Sequence, residues 1–421
     1  MKTEKTVVLL AASLACSVAV SAEQDKSGIR IGQRLTLHPY VSMSYTYDTN
    51  VDSSKHSKSG SSWTITPGVN ASYADEQWEI DGSVNYSYHA YNKYSKNLNS
   101  SSLREQISIG WKNSEANERG WSAKFGQHFS MISQDDDMSN SNGRGIGRDR
   151  DEWGVDGLIE RRINQHLHAS VNAGYYYLKY DNDVDKYAPM YGWKRVNGGA
   201  QVGWAFGRFS DVFFTANYHQ DWQDNKKDRS ADRRSDSGKD RKVSGESKGY
   251  SLHVGIGSRA TTKIGYRVSG GLSHYEYGGG VHKSDSFTYQ ASGHWRVDPT
   301  LAVIAMGSSY YQPSERDYGA SLMTYNFGLG VAKNLIKGNK LSLSFDGSYR
   351  YETHDYVQYK ADDYDTHILT FRGRVSYRVN RWLSAFAGVE YQTELADGGA
   401  AKGHYYDYDR VRATFGMSLN Y

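Results

Sequence analysis

Residues Val411 to Tyr421 read VRATFGMSLNY, and this stretch decides the fold. Its odd-numbered positions are apolar or aromatic, whereas the even-numbered residues between them are small or polar. Because successive side chains of a β-strand point to opposite faces, the strand has one apolar and one polar face. Strict alternation that ends on an aromatic residue is typical of the last strand of a bacterial outer-membrane β-barrel, in which one face meets lipid and the other water.

The same alternation recurs along the whole chain with a period of two residues. In one example, Trp63, Ile65 and Val69 share a face, whereas Thr64 and Thr66 point the other way. The sequence therefore predicts an all-β fold, an antiparallel up-and-down transmembrane barrel of about 18 strands. The predicted strands are 34–48, 62–74, 77–91, 101–112, 120–132, 150–162, 167–180, 194–206, 211–222, 248–259, 264–277, 286–297, 300–311, 320–332, 340–353, 367–379, 382–394 and 406–421.

The connections between these strands alternate in length. The shorter ones include 75–76, 207–210, 298–299 and 380–381. The longer ones include 49–61, 133–149, 181–193, 223–247 and 354–366. Short periplasmic turns and longer outer loops are typical of outer-membrane barrels. Barrels of about 16–18 strands leave an aqueous lumen, so the pattern favours a water-filled passage.

The N-terminal residues predict export from the cytoplasm. Lys2 and Lys5 give a basic start, and residues 7–20 are mostly apolar but too short to span a bilayer. Small residues then suit cleavage, so we expect a signal peptide over 1–22 and a single outer-membrane β-barrel domain over 23–421. A lipoprotein anchored at Cys16 is the alternative, but Ser13 stands where a lipobox normally has leucine.

Composition narrows the function classes. Cys16 is the single cysteine, so the exported chain would hold no disulfide, thiol nucleophile or thiolate metal site. The net charge of +3 gives no case for nucleic-acid binding. The mean hydropathy of −0.73 suits a barrel, which shows lipid at only every second residue. A soluble β-sandwich is the alternative fold, but it would not need both an export signal and an aromatic C-terminus.

Charged residues on the predicted lumen face divide by strand. The basic ones are Arg296, Arg350, Arg372, Arg374, Arg378, Arg410 and Arg412. The acidic ones are Glu79, Asp81, Glu152, Asp156 and Glu160. Rows of charge in a pore select ions, so these residues are candidates to line a pore and to set a field across it. Pairing with neighbours, for example with Asp346 or Glu390, is an equal alternative, because strand register is not visible in the sequence.

The aromatic residues support two interpretations. Those on the lipid face near strand ends predict membrane-interface girdles, with Trp78, Trp121 and Trp204 toward the short-turn end. At the loop end the corresponding residues are Tyr45, Trp63, Tyr88, Tyr177, Tyr218, Tyr351 and Tyr391. Others on the lumen face could stack on sugar rings, namely Tyr40, Tyr176, Tyr275, Tyr310 and Phe386.

Signals for an enzyme are weak. The sequence contains no H-E-x-x-H motif. His166 and His168 could hold a metal, as could the triplet 135–137, but solvated side chains are the simpler explanation of both features. We therefore expect no enzymatic activity, no metal site and no cofactor. The loop 223–247 mixes many basic and acidic residues, which suits either solvent or contact with anionic lipopolysaccharide.

The opening of the chain resembles the beta-barrel porin 2 family of outer-membrane proteins. The matching segments are 39–51, PYVSMSYTYDTNV, and 63–69, WTITPGV. The resemblance implies a porin that is associated with exopolysaccharide or capsule export. It carries over no catalytic residues.

These observations lead to one leading hypothesis and one rival. The leading hypothesis is a porin-like channel for passive passage of hydrophilic solutes, in the outer membrane and in contact with its lipid and lipopolysaccharide. Exopolysaccharide export, with other export components as partners, is its more specific form. The rival is a structural or adhesive surface protein with an occluded lumen. In either case Tyr421 is the predicted assembly signal, read by the barrel-assembly machinery.

Overall fold

The structure is a computed structural model. It describes residues 28–51, 57–93, 99–113, 120–135, 148–180, 192–206, 210–223, 244–258, 263–280, 282–314, 321–336, 340–355, 364–398 and 407–421. The predicted signal peptide over 1–22 lies outside these residues, as do most of the predicted long loops. Within the described residues, no helix is long and apolar enough to cross a membrane.

The described part of the chain contains nineteen β-strands. They are β1 (Ile29–Ile31), β2 (Leu35–Asp48), β3 (Gly60–Ala74), β4 (Trp78–Tyr91), β5 (Ser100–Lys112), β6 (Gly120–Asp135), β7 (Arg148–Arg162), β8 (Leu167–Tyr180), β9 (Trp193–Ala205), β10 (Ser210–Gln223), β11 (Glu246–Ser258), β12 (Ile264–Tyr277), β13 (His282–Asp298), β14 (Leu301–Pro313), β15 (Ser321–Asn334), β16 (Leu341–Asp355), β17 (Tyr364–Arg378), β18 (Leu383–Gly398) and β19 (Tyr408–Asn420).

Strands β2 to β19 form a closed barrel. Each pairs antiparallel with the next strand in the chain, and β19 pairs with β2 to complete the ring. The predicted antiparallel 18-strand barrel is therefore confirmed. Each predicted segment corresponds to one barrel strand. The largest differences at the strand starts fall on β13, which begins at His282 and carries a register shift between Arg296 and Asp298.

Strand β1 is the one element that the periodicity did not predict. It turns back through Gly32, whose φ of +67° favours glycine, and pairs with the start of β2 from Ile29↔Leu37 to Ile31↔Leu35. On that same edge of β2, the pairing with β19 stops at Tyr40↔Asn420. The short strand thus covers backbone groups that would otherwise form an open sheet edge. Three residues are too few for a periodic signal in the sequence.

The short turns are held by side chains that accept backbone hydrogen bonds. In the turn between β3 and β4, Asp75 Oδ1 accepts from the N–H groups of Trp78 (2.7 Å) and Gln77 (2.8 Å). The Tyr73 hydroxyl donates to its other oxygen at 2.9 Å. These donors, Trp78 first, lower the pKa of Asp75 below its usual range. Asn380 accepts from two backbone N–H groups in the same way before β18, so small polar residues fix these turns.

The outer face of the barrel is apolar. Leu272, Phe287, Val254 and Phe415 are each at least 60% exposed on this face. The tryptophans and tyrosines predicted for the two girdles alternate in register with these residues, so they share the outer face. An apolar band between aromatic girdles is the surface that meets lipid in outer-membrane barrels.

Candidate pore lining

The inner face of the barrel carries the residues that alternate with the lipid-facing ones. On β3, for example, Thr64, Thr66, Asn70 and Ser72 point inward, and each lies opposite an inward residue of β2. Because antiparallel partners share a face, the register carries this polar lining around the ring from strand to strand. The candidate site is therefore the lumen itself, and its chemistry depends on which polar residues the register brings together.

Five charged residues on β2, β17, β18 and β19 form a connected group, here called the charged wall: Asp48, Arg372, Glu390, Arg410 and Arg412. Asp48 Oδ2 lies 2.6 Å from Arg410 Nη2 and 3.1 Å from Arg412 Nε. Glu390 joins Arg412 at 3.3 Å and Arg372 Nε at 2.5 Å. Two carboxylates thus hold three guanidinium groups in a continuous row.

Strand register creates the charged wall. Arg412 lies directly opposite Glu390 on one side and Asp48 on the other. Arg372 lies opposite Glu390 and, on its other side, Asp346, whose carboxylate is 3.8 Å away. Directly opposite residues are the closest side-chain neighbours in a sheet, so opposite charges there attract. Pairing across strands, the alternative that the sequence left open, is therefore present at Arg372 and Arg412.

A cavity of about 480 Å³ borders the charged wall. It is lined by residues of β2 to β7 on one side and β17 to β19 on the other. Its charged lining residues are five arginines and two carboxylates, namely Arg104, Arg150, Arg372, Arg374, Arg412, Asp48 and Glu390. The lining therefore carries an excess of positive charge. Arg104 and Arg150 were not among the basic residues that the sequence predicted for the pore lining.

The other predicted basic residues have varied surroundings. Arg350 lies 3.2 Å from Glu352 on its own strand. The Arg374 guanidinium lies 4.0 Å above the Phe386 ring, and its Nε donates to Ser376 at 3.3 Å. Arg378 and Arg296 lie at the short-turn ends of β17 and β13, away from the charged wall. All four share the inner face, as the alternation predicted.

The predicted acidic residues lie mostly toward the other end of the lumen. Glu79 and Asp81 are near the short-turn end of β4, and Glu160 is near the same end of β7. Asp156 lies halfway along β7, and its carboxylate covers Gly126. Within the described residues, no salt bridge forms at Glu79, Asp81, Asp156 or Glu160. The predicted basic and acidic residues are therefore separated partly along the barrel axis, and not only across the lumen.

A second part of the lumen is filled with buried side chains near the loop ends of β8 to β15. This aromatic wall consists of Tyr176, Leu178, Trp193, Tyr275, Tyr311 and Met323, each 5% exposed or less. Tyr275 stacks on Tyr311 with ring centroids 5.0 Å apart, and Tyr176 contacts Trp193 at 4.7 Å. Tyr176, Tyr275 and Tyr310 were candidates for stacking on sugars, but their burial withholds their faces from a solute in this conformation.

The two other candidates for sugar stacking are also engaged. Tyr40 lies across Gly68, where an added Cβ would come within 2.5 Å of the phenol ring. Phe386 lies beneath the Arg374 guanidinium. The ring face of Phe386 that a sugar would need is thus shared with a cation.

The end of the β14–β15 hairpin leans into the lumen, where its Tyr311 and Met323 pack against Tyr275. Pairing of β13 with β14 ends at Gln290↔Ser308, although β14 continues to Pro313. Beyond that point, the Tyr311 hydroxyl lies 2.7 Å from the Ser284 hydroxyl. Gln223, four strands away on β10, donates to the Ser314 carbonyl at 2.6 Å. These contacts are reachable only from inside the barrel.

A buried ion pair lies within this region. Arg195 on β9 and Asp221 on β10 are directly opposite each other and at most 1% exposed. Arg195 donates to both carboxylate oxygens, at 2.8 Å from Nη2 to Oδ2 and through Nε to Oδ1. Tyr275 donates to Ser247, which is 3.5 Å from the same carboxylate. The pair was not predicted from the sequence, because finding it requires the β9–β10 register.

His166 and His168, the histidines predicted as a metal candidate, do not come together as ligands. His168 Nε2 lies 3.6 Å from an Asp211 oxygen, whereas His166 stacks on Trp204 with ring centroids 5.6 Å apart. Asp135 ends β6, and the other two members of the acidic triplet lie outside the described residues. Within the described part of the chain, no group of three histidine, cysteine, aspartate or glutamate residues could hold a metal ion.

The ring of strands is closed, its outer band is apolar and its lumen is polar. These features together define the class of protein. The chain is an outer-membrane β-barrel with a channel-type fold, and it is located in the outer membrane of a Gram-negative-type envelope. In sequence comparisons, no protein-family model and no curated protein matches the chain.

Solved structures with the same kind of fold are similar at low sequence identity. The outer-membrane channel DcaP of Acinetobacter baumannii is 11% identical, with a TM-score of 0.42 over 93% of this chain and 100% of DcaP. A mutant of the ferric enterobactin receptor PfeA of Pseudomonas aeruginosa is 8% identical, with a TM-score of 0.42 over 91% and 80%. A bacterial polysaccharide outer membrane secretin is 8% identical, with a TM-score of 0.33 over 91% and 98%.

Proposed function

We propose that the chain is an outer-membrane channel for passive passage of hydrophilic solutes. The observation that carries this proposal is the 480 Å³ cavity beside the charged wall, inside a closed barrel of 18 strands. Barrels of this size enclose more space than their own side chains fill. Solutes would diffuse through the hydrated lumen, and no covalent step is involved.

The charge of the cavity lining predicts a preference for anions. Five arginines face two carboxylates in the lining, so an anion that enters is attracted. The attraction acts through water and is screened over roughly 10 Å at 0.1 M salt. The preference should therefore be strongest at low ionic strength.

Single-channel recording in planar bilayers tests both the passage of solutes and the preference for anions. Replacing Arg372, Arg374 and Arg412 with Glu should move the reversal potential toward cations, with a larger shift at low salt. Arg296→Glu is the matched control, because Arg296 is on the inner face but does not line the cavity. Conductance with unchanged selectivity in the triple variant would leave the channel intact but refute the role of the arginines.

A structural or adhesive protein with an occluded lumen is the second candidate. The observation that favours it is the aromatic wall, because Tyr275 and its neighbours are fully buried beneath the β14–β15 hairpin. Folded wild-type protein that inserts into bilayers and conducts nothing would support this candidate and reject the channel.

Export of exopolysaccharide is the more specific function that we propose for the channel. The resemblance of segments 39–51 and 63–69 to the beta-barrel porin 2 family supports it. Deletion of the gene should lower the polysaccharide released into the medium, and expression of the wild-type chain should restore it. Unchanged release in the deletion strain would reject the export role while leaving the channel proposal untouched.

Tyr421 is proposed as the assembly signal. Its ring stacks on Trp382 at 4.8 Å, and its backbone N–H donates to the Pro39 carbonyl at 3.0 Å. If the machinery reads the terminal aromatic, Tyr421→Asp should lower the amount of barrel in the outer membrane, whereas Trp382→Ala should not. Equal losses in both variants would mean that Tyr421 acts only through the stack.

A further inference from the structure

Across the described strands, charged or amide side chains interrupt the middle of the apolar outer face at one place, on the neighbouring strands β5 and β6. Gln127 is the central one of seven outward residues of β6, namely Trp121, Ala123, Phe125, Gln127, Phe129, Met131 and Ser133. Glu105 is the third of six on β5, namely Ser101, Leu103, Glu105, Ile107, Ile109 and Trp111. A carboxylate and an amide therefore lie on a diagonal between two neighbouring strands within the lipid-facing band.

The position of this pair is unusual for the barrel. On the other described strands, charged and amide side chains of the outer face lie within two outward positions of a strand end. Some of these have partners there. Glu276, for example, lies 3.0 Å from Lys248 and 2.8 Å from Lys283. Such positions reach the polar headgroups, whereas Glu105 and Gln127 are surrounded by apolar neighbours.

Neither side chain has a partner within the described chain. Glu105 lies opposite Val84 and Phe129, and Gln127 lies opposite Ile107 and Val155. No hydrogen bond or salt bridge joins the Glu105 carboxylate or the Gln127 amide to another described residue. A polar group in hydrocarbon without a hydrogen-bond partner is costly, so a partner from outside the chain would be strongly favoured.

We propose that this polar pair is the centre of an interface between two copies of the chain. The Gln127 amide supplies the N–H donors that a Glu105 carboxylate needs, so the patch is complementary to itself. In a two-fold contact about the membrane normal, Glu105 of each copy faces Gln127 of the other. A head-to-tail contact would place the pair of one copy against a different surface of the next copy, where no other described strand carries a charged or amide side chain in the middle of the band.

The surface next to the pair has room for a second copy. Gly82 and Gly157 are on the same outer face, next to Ile107 and Val155. A Cβ added at either glycine would meet only one backbone oxygen, at 3.9 Å or farther. The fold of a single barrel therefore does not require glycine at these two positions. Their missing side chains flatten the patch and let a second barrel approach closely.

Native mass spectrometry of the full chain in mild detergent tests the proposal. The wild-type protein should contain two copies, and Glu105→Leu with Gln127→Leu should contain one. Leucine suits a lipid-facing strand, so this variant should still fold, which unheated gel mobility will show. Glu105→Gln should remain dimeric, because two amides can still pair. A monomeric wild type, a three-copy wild type or a dimeric leucine variant would overturn the proposal.

Disulfide cross-linking in intact cells tests the geometry. One tagged copy carries Glu105→Cys and a differently tagged copy carries Gln127→Cys. A mixed product of twice the chain mass is expected under mild oxidation. Ala305→Cys paired with Val331→Cys is the matched control, because these residues occupy the corresponding diagonal on β14 and β15. Equal cross-linking of both pairs, or none at 105 and 127, would reject the interface.

Discussion

The charged wall and the aromatic wall use similar residues for different purposes. Each region contains arginine–carboxylate pairs formed by directly opposite inner-face residues. On the charged wall, Asp48 and Arg410 are buried, but the Arg372 side chain is 52% exposed and borders the cavity. In the aromatic wall region, Arg195 and Asp221 are sealed from solvent. The comparison shows that inward-facing charge does not by itself identify a pore lining, because what covers the charge decides its role.

The cover over the aromatic wall comes from the barrel's own strands. The end of the β14–β15 hairpin crosses the inner face as far as Gln223 on β10. An ion pair beneath it has lost its water and depends on its own partners. An exposed pair such as Arg372 and Glu390 keeps part of its hydration, and its attraction is correspondingly weak. The two regions should therefore respond differently to the same substitutions.

The largest difference between the two regions should be in the free energy of unfolding. Arg195→Ala leaves Asp221 buried without its partner, and we expect a loss of about 3–5 kcal/mol in the free energy of unfolding. The matched change on the charged wall, Arg372→Ala, should cost about 1 kcal/mol or less. Reversible urea unfolding in lipid vesicles measures both.

A double substitution checks the reason for that difference. Arg195→Met with Asp221→Leu removes both charges, so most of the stability lost in Arg195→Ala should return. If Arg195→Ala and Arg372→Ala cost the same, the aromatic wall is hydrated and the contrast between the two regions fails.

Conductance should show the next difference. Tyr311→Ala with Met323→Ala removes two buried side chains of the aromatic wall, so the single-channel conductance should rise while ion selectivity stays unchanged. The variant with Arg372, Arg374 and Arg412 replaced by Glu should do the opposite and change selectivity with little effect on conductance at high salt. A selectivity change in the aromatic-wall variant would show that ions pass along that wall too.

The smallest effect should come from a single carboxylate. Glu390→Gln removes the negative charge that holds Arg372 and Arg412, so the anion-to-cation permeability ratio should rise. One charge a few ångströms away in water is worth about 1 kcal/mol or less, so a change of about two- to threefold is expected. Glu79→Gln is the control, because it removes the same charge from the inner face outside the cavity. An equal rise in both variants would mean that the cavity does not control selectivity.

Much of the fold could be predicted from the sequence, because strand formation depends on neighbouring residues. Whether a strand forms and which way each side chain points depend on neighbours one and two residues away. The alternation of Val411 to Tyr421 therefore predicted β19, and by itself it placed Arg410 and Arg412 on the inner face. Glu105 was not among the residues singled out in the sequence, and its place on the lipid face and its lack of a partner became visible only with the neighbouring strands in place.

The tertiary structure decided which inner-face residues meet and which segments cover them. The sequence determined the 18 barrel strands, their two faces and the closed barrel they imply, but not β1. Register then paired Arg412 with Asp48 across 364 residues of chain, and Arg195 with Asp221. The inward lean of the β14–β15 hairpin buried Tyr275 and Tyr311. These outcomes depend on contacts between distant segments, and a period of two residues contains no information about distant partners.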